Sequence, residues 1–236
     1  MTKYKKVLVK LSGESLMGSG QHGIEPESLM RYSGEVKSIA DLGVKVGLVI
    51  GGGNIFRGLK GVDKGFDRVK GDYMGMMATV INGLAMQSAL ESLGVKCRLL
   101  TAIRMEPVGQ GYSKQLVGEA FSSGEVVIFS AGTGNPFFTT DSAAALRAVE
   151  MGAELLIKGT RVDGIYTADP EKDPAAVRYD SITFDEAYSK GLKIMDLTAF
   201  TLCSENNLNM VVFDVNKPGN LKKIILGESI GTFVKN

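Results

Sequence analysis

Short apolar runs alternate with longer amphipathic stretches over the first two thirds of the chain. Lys5 to Leu11 (KKVLVKL), Val44 to Ile50, Lys96 to Leu100, Glu125 to Ser130 and Glu154 to Ile157 are strand-length blocks dominated by apolar side chains. Between them, four segments carry apolar residues at helical spacing. Pro26 to Asp41 has proline in its first turn and Gly43 as its stop. Lys70 to Leu93 sets Met74, Met77, Ile81 and Leu84 on one face and ends at Gly94. Ser113 to Phe121 is short, and Thr140 to Met151 is Ala-rich, with Thr140 or Asp141 expected as its cap. Apolar strands without polar alternation, separated by helices, predict βαβ units and a parallel sheet covered on both faces. The expected fold class is therefore α/β, a three-layer αβα sandwich around a mostly parallel central sheet.

The rhythm changes after residue 158. Gly159 to Asp180 is polar, contains Asp169-Pro170 and Asp173-Pro174, and is too long for an idle connection in a compact domain. Beyond it the pattern predicts helices over Phe184 to Lys190 and Asp196 to Asn206. A strand over Met210 to Asp214, a helix over Gly219 to Leu226 and a last strand over Gly231 to Val234 follow. No flexible linker and no internal repeat interrupts the chain, so residues 1–236 read as one domain with a division near 158/159.

Composition narrows the chemistry. Lys+Arg 27 against Asp+Glu 26 leaves a net charge of +1, which gives no field for nucleic acid or an anionic membrane. The single histidine, His22, and two cysteines, Cys97 and Cys203, make His-based metal sites, zinc sites and Ser/His or Cys/His nucleophile schemes poor expectations. Cys97 and Cys203 read as small buried hydrophobes, and the methionines Met74, Met76, Met77 and Met86 as core or subunit interface. The start, Met1 to Lys10, lacks the apolar block of a signal peptide, and no apolar run approaches the roughly 18 residues of a membrane span. Glycine departs from the average: 30 of 236 residues, against a usual share of about 7%.

Those glycines gather where a parallel sheet binds ligands, at the carboxyl ends of strands. The first strand ends in Lys10-Leu11-Ser12-Gly13 and the second in Gly51-Gly52-Gly53-Asn54, with Arg57 close behind. The fourth ends in Gly132-Thr133-Gly134-Asn135 and the fifth in Lys158-Gly159-Thr160. Bare backbone N–H groups beside fixed cations suit a polyphosphate. Each turn alone is more often just a tight turn; four on one rim with Lys10, Arg57 and Lys158 favour the phosphate reading. The P-loop pattern is absent, and Gly18-Ser19-Gly20-Gln21-His22-Gly23 does not sit directly between a strand and a helix as a dinucleotide fingerprint would.

Together these residues resemble the amino acid kinase superfamily. The resemblance is carried by Lys10 to Gly13, by GGGNIFRG (Gly51 to Gly58) and by TGNPFFTTDSAAALRA (Thr133 to Ala148). Arg161 to Pro170 (RVDGIYTADP) and Lys193 to Leu197 (KIMDL) narrow it to the bacterial uridylate kinases, over essentially the whole chain. The resemblance implies phosphorylation of UMP to UDP by ATP with Mg²⁺ in pyrimidine nucleotide biosynthesis, by cytoplasmic homohexamers, with UTP as a feedback inhibitor. It divides the chain into an acceptor half that binds UMP (1–158) and a donor half that binds ATP (159–236). The region of Gly18 to Gly23 is linked in these enzymes to activation by GTP. Gln87 and Glu125 stand where arginines of that effector site are expected, which argues against GTP activation here.

Residue chemistry and resemblance combine at each position. Lys10 is the cation for the transferred phosphoryl, and the resemblance adds Leu11, Ser12 and Gly13 to the ATP site. Gly52 and Gly53 offer bare backbone, and the resemblance gives Gly52 to UMP and Gly53 to ATP. Arg57 can fork onto phosphate oxygens. Asp72 is a favourable first-turn charge by physics alone and resembles the acceptor of both UMP ribose hydroxyls. Thr133, Gly134, Asn135, Pro136, Phe137, Phe138, Thr139 and Thr140 correspond to the uracil and phosphate pocket; an apolar pair such as Phe137-Phe138 is also commonly core. Asp141 and Asp196 are the carboxylates placed near the phosphates, with Asp141 resembling the aspartate that orients catalytic cations. Thr160, Tyr166 and Asp169 match ATP-binding positions, Tyr166 suited to pack on adenine; Lys158 ranks below them. The alternative is a non-catalytic member that stores an oxyanion or senses nucleotides, for which the catalytic positions need not persist.

Overall fold

The computed structural model describes residues 1–56 and 67–236; Arg57 and Gly58 lie outside the described residues. Among the described residues one sheet of nine strands runs in the order β4-β3-β5-β2-β1-β6-β8-β9-β7. Its strands are β1 (Lys6–Leu11), β2 (Lys45–Ile50), β3 (Cys97–Thr101), β4 (Gln110–Gly111), β5 (Val126–Ser130), β6 (Leu155–Thr160), β7 (Ser181–Thr183), β8 (Met210–Asp214) and β9 (Thr232–Lys235). Every pairing is parallel except β8 with β9.

Seven α-helices flank it among the described residues: α1 (Pro26–Ala40), α2 (Arg68–Ser92), α3 (Lys114–Ser122), α4 (Thr140–Met151), α5 (Phe184–Ser189), α6 (Leu197–Glu205) and α7 (Asn220–Leu226). Because side chains alternate across a strand, β1 sends Val7, Val9 and Leu11 to one face and Leu8 to the other. The first set packs with Tyr32 and Ile39 of α1, Met86 and Leu90 of α2 and Leu221 of α7. Leu8 packs with Phe121 of α3, Ala144 and Ala148 of α4, Phe184 of α5 and Phe200 of α6. This is the three-layer arrangement the hydrophobic pattern implies. Strands covered on both sides explain the unbroken apolar runs: all five residues of β5 are buried.

The differences from the sequence expectation are local. The cap of α4 is Thr139, whose hydroxyl accepts from the N–H groups of Asp141 and Ser142; Thr140 and Asp141 are the first two helical residues. The sequence offers a run of Thr and Asp, each able to cap, and only the backbone turn at Thr139 selects one. Strand β6 continues to Thr160, so Lys158 and Gly159 stand inside the sheet rather than beyond it. The polar segment after it folds back on itself, with Thr167 N–H donating to the Val177 carbonyl and Tyr179 N–H to that of Ile165. The short strands β4 and β7 have too few residues for a periodic signal.

Candidate active site

The chain leaves β1 in one direction to β2 and later returns to its other side with β6, so the strand order reverses at β1. In a parallel sheet such a reversal opens a crevice at the carboxyl ends. Lys10 and Lys158 are register partners across that seam, side by side on neighbouring strands. Both fall in the alternation that carries Leu8 and Leu156, toward α4 and α6. Asp141, the second residue of α4, meets them there: its Oδ1 lies 2.9 Å from Lys10 Nζ and its Oδ2 2.6 Å from Lys158 Nζ. Lys158 also donates to the Ile194 carbonyl at 2.6 Å. One carboxylate thus holds two ammonium groups at the mouth of the sheet.

The charges perturb one another. Burial works against an ionised Asp141, but Lys10 and then Lys158 outweigh it and hold its pKa below the ordinary carboxylate range. Burial is also the largest influence on Lys158 and lowers its pKa; Asp141 opposes this and Lys10 adds to it. Asp196 lies close by as the cap of α6, accepting from the Ala199 N–H at 2.9 Å. It further accepts from the Ser142 hydroxyl at 2.9 Å and from the Thr139 hydroxyl. The caps of α4 and α6 are therefore one hydrogen-bonded unit that sets both carboxylates.

Two compartments open from this centre. Lys10, Ser12, Lys158, Thr160 and Arg161 line a cavity of about 740 Å³. A second, of about 520 Å³, is lined by Thr160, Tyr166, Asp169 and the stretch from Lys190 to Ile194. Thr160 belongs to both walls. The Tyr166 hydroxyl donates to Asp163, and this hydrogen bond, ahead of the nearby Arg178 and Lys217, keeps Asp163 below its ordinary pKa. Asp169 is exposed, accepts from the Glu171 N–H at 3.1 Å and pairs with Lys172.

On the other flank, Gly13 and Gly51 touch backbone to backbone: a Cβ on Gly13 would lie 2.3 Å from the Gly51 carbonyl oxygen. A Cβ on Gly52 would lie 2.7 Å from that of Ala78, so α2 itself demands this glycine. A Cβ on Gly53, by contrast, would meet nothing nearer than Glu14 at 3.9 Å. Asp72, in the second turn of α2, binds Arg68 Nε at 2.9 Å and accepts the Phe137 N–H at 2.7 Å. This last bond brings together two segments read separately from sequence, Asp72 and the loop from Thr133 to Thr140. That loop is braced internally, with the Asn135 N–H on the Thr133 hydroxyl and Gly134 at φ +80° against Ala102. Phe137 has φ +73°, a conformation that costs a bulky residue about 1–3 kcal/mol and is retained where the surroundings enforce it. Phe137 is 67% exposed and Phe138 48%, so the core reading of this pair is overturned.

Residues 5–214 match the family model described as "Amino acid kinase family". The chain belongs to the amino acid kinase family. A protein of Porphyromonas gingivalis named uridylate kinase is 61% identical over all of this chain and 99% of its own length. One of Phocaeicola vulgatus with the same name is 62% identical over the full length of both. Among solved structures, a UMP kinase from Bacillus anthracis has a TM-score of 0.96 at 35% identity, covering 98% of this chain and 96% of its own. A uridylate kinase from Archaeoglobus fulgidus has a TM-score of 0.75 at 28% identity, covering 99% and 100%.

Within this amino acid kinase the residues singled out in the sequence come together in two groups: Lys10, Asp141 and Asp196 in one cluster, and Thr160, Tyr166 and Asp169 in one cavity wall. Lys158, ranked below them in the sequence, is the register partner of Lys10 and shares its carboxylate. The signal was present: Lys158 sits at the same register as Lys10, but the strand pairing that makes them neighbours is not visible in either strand alone. Ser142, which holds Asp196, lay inside the Thr133 to Ala148 motif but had no role assigned from sequence, and the cavity wall from Lys190 to Leu192 carried no distinguishing pattern.

Proposed function

We propose that the chain transfers the γ-phosphoryl group of ATP to UMP, giving UDP and ADP, as a step of pyrimidine nucleotide biosynthesis in the cytoplasm. The observation that carries this reading is the Lys10–Asp141–Lys158 bridge, set between a walled cavity on one side and the Asp72–Phe137 contact on the other. ATP fits the first: adenine beside Tyr166 and Asp169, phosphates along Thr160, Lys10, Leu11, Ser12, Gly13 and Gly53. UMP fits the second: ribose at Asp72, phosphate near Gly52, and uracil against the segment from Thr133 to Thr140, whose hydroxyls and amides match its donor and acceptor edge.

Phosphoryl transfer asks the protein mainly for positioning and charge neutralisation. A UMP phosphate oxygen forms a bond to the γ-phosphorus in line with the bond that breaks to the β–γ bridging oxygen, and ADP leaves with that electron pair. The attacking phosphate is already ionised, so no general base is required. Asp141, its pKa depressed, keeps its negative charge and serves to fix two ammonium groups against the moving PO₃ unit. Arg57 is assigned a forked contact on phosphate oxygens. Among the described residues no group of three or more His, Cys, Asp or Glu forms a metal cage. The donor set fits Mg²⁺ carried by the triphosphate and met by a carboxylate, with Asp196 the residue to hold it. When bound, Mg²⁺ neutralises charge on the β- and γ-oxygens.

UTP, sharing uracil and ribose with UMP, is the inhibitor we assign. Gln87 and Glu125 line a cleft with Arg98, and Glu125 binds the Arg98 guanidinium in a fork at 2.8 and 2.9 Å. That leaves little positive field for an anionic nucleotide, which supports the absence of GTP activation. The apolar, exposed Tyr73, Met74, Ile81 and Leu84 on α2 suit a subunit interface of a homohexamer. An ADP-release assay offering UMP, CMP, aspartate, glutamate and carbamate tests the reading: turnover with UMP is expected, and turnover confined to a non-nucleotide overturns it.

A further inference from the structure

Two fully buried amides lie beneath the glycine turn after β2. Asn54 is 2% exposed and Asn82, inside α2, is 0% exposed. Their side chains pair reciprocally: Asn82 Nδ2 donates to Asn54 Oδ1 at 2.7 Å, and Asn54 Nδ2 to Asn82 Oδ1 at 3.0 Å. Each has one proton left. Asn82 spends its proton on the Gly51 carbonyl at 2.7 Å, and Asn54 on the Gly23 carbonyl at 2.9 Å. Gly23 N–H returns a bond to the Asn54 carbonyl at 2.8 Å. All four amide protons are used, which fixes the orientation of both side chains. An apolar pair would fill the same space without desolvating two amides, so packing alone does not account for them.

We propose that Asn82 is a positioning residue for the acceptor phosphate. The Gly51 carbonyl and the Gly52 N–H belong to one peptide unit, which is planar and trans. Anchoring the carbonyl on Asn82 therefore aims the Gly52 N–H in the opposite direction, away from Asn82, and Gly52 cannot relax by retreating because Ala78 closes its other side. Gly52 is the residue assigned above to UMP, so the inference rests on that reading and makes it specific. Asn54 extends the same clamp to the glycine-rich loop ending at Gly23, so that loop and the phosphate turn share one support.

The test compares Asn82→Asp and Asn82→Ala with Ser33→Ala. Ser33, on α1, is buried; its hydroxyl donates to the Leu29 carbonyl and to the sulfur of Met86, one turn along α2 from Asn82 but outside the site, and its loss reports a loss of packing alone. Removing the donor on Asn82 is expected to raise KM for UMP about tenfold while KM for ATP changes far less. The Asn82→Asp penalty, taken relative to wild type at each pH, shrinks as pH falls, because a protonated carboxyl donates to the Gly51 carbonyl again; Asn82→Ala shows no such recovery. Amide exchange over residues 47–56, without substrate, accelerates in both Asn82 variants and not in Ser33→Ala. Unchanged KM values, or a parallel rise for both substrates as in Ser33→Ala, would overturn the proposal. Should wild type fail to turn over UMP, the functional reading falls, and the exchange comparison alone decides whether Asn82 sets the turn. If Asn82→Asp does not fold, the neutral Asn82→Ala carries the same KM and exchange comparisons.

Discussion

Where one carboxylate holds two lysines, removing a lysine and removing the carboxylate have different consequences. Lys10→Ala removes the cation proposed for the transferred group and leaves Lys158 and Asp141 paired. Its kcat is expected to fall about 10²–10³-fold, as on deleting one preorganised electrostatic contact, with the thermal transition retained; single-turnover kinetics with UMP and ATP check this. Asp141→Asn acts differently. A carboxyl whose pKa is depressed on folding stabilises the native state fully above its unfolded value, near 3.8, and that contribution is lost as pH falls through the folded value. Wild type is therefore expected to lose Tm steeply below about pH 4, while the Asn variant starts lower at neutral pH and falls less steeply. The neutral-pH loss lies toward the lower end of the roughly 3–5 kcal/mol seen on breaking a buried pair, since Asp141 keeps some solvent contact. Differential scanning calorimetry from pH 7 to pH 3 distinguishes the two curves. These roles were half legible in sequence: Lys10 and Asp141 lay in recognisable motifs, whereas Lys158 became a partner only through the β1–β6 register.

Helix α2 is the element whose sequence pattern said least about its three faces. Its methionines divide. Met76 and Met86 are buried, while Met74 stands with Tyr73, Ile81 and Leu84 on an open face. The residues Gly75, Ala78 and Thr79 between them form the surface on which Gly52 rests. Periodicity located the helix and its apolar face but not the division of labour between core, phosphate turn and exterior, because all three faces use apolar or small residues. Replacing Met74, Ile81 and Leu84 together by Gln is expected to reduce the assembly size seen by light scattering. The protomer itself should lose little stability, since exposed positions usually contribute within about 0.5 kcal/mol each.

The fold of the molecule was readable at the level of class and order, and less so at its edges. The long strands and helices followed from apolar blocks and glycine stops, whereas β4, β7 and the hairpin-like return between Thr160 and Asp180 depend on tertiary contacts. At this scale the sheet runs unbroken across the division near 158/159, because β6 pairs with β1 on one side and β8 on the other. UTP is expected to raise the apparent KM for UMP and leave KM for ATP nearly unchanged, and GTP to produce no rise in rate; initial-rate kinetics with each nucleotide test both statements. The adjacency of Lys10 and Lys158 has a further consequence. The two ammonium groups are stitched together by the backbone ladder of the innermost strand pair, not by flexible loops. Turnover thus doubles as a gauge of that ladder: in a urea titration, activity should vanish together with the sheet's circular dichroism, with no earlier inactive stage attributable to this pair.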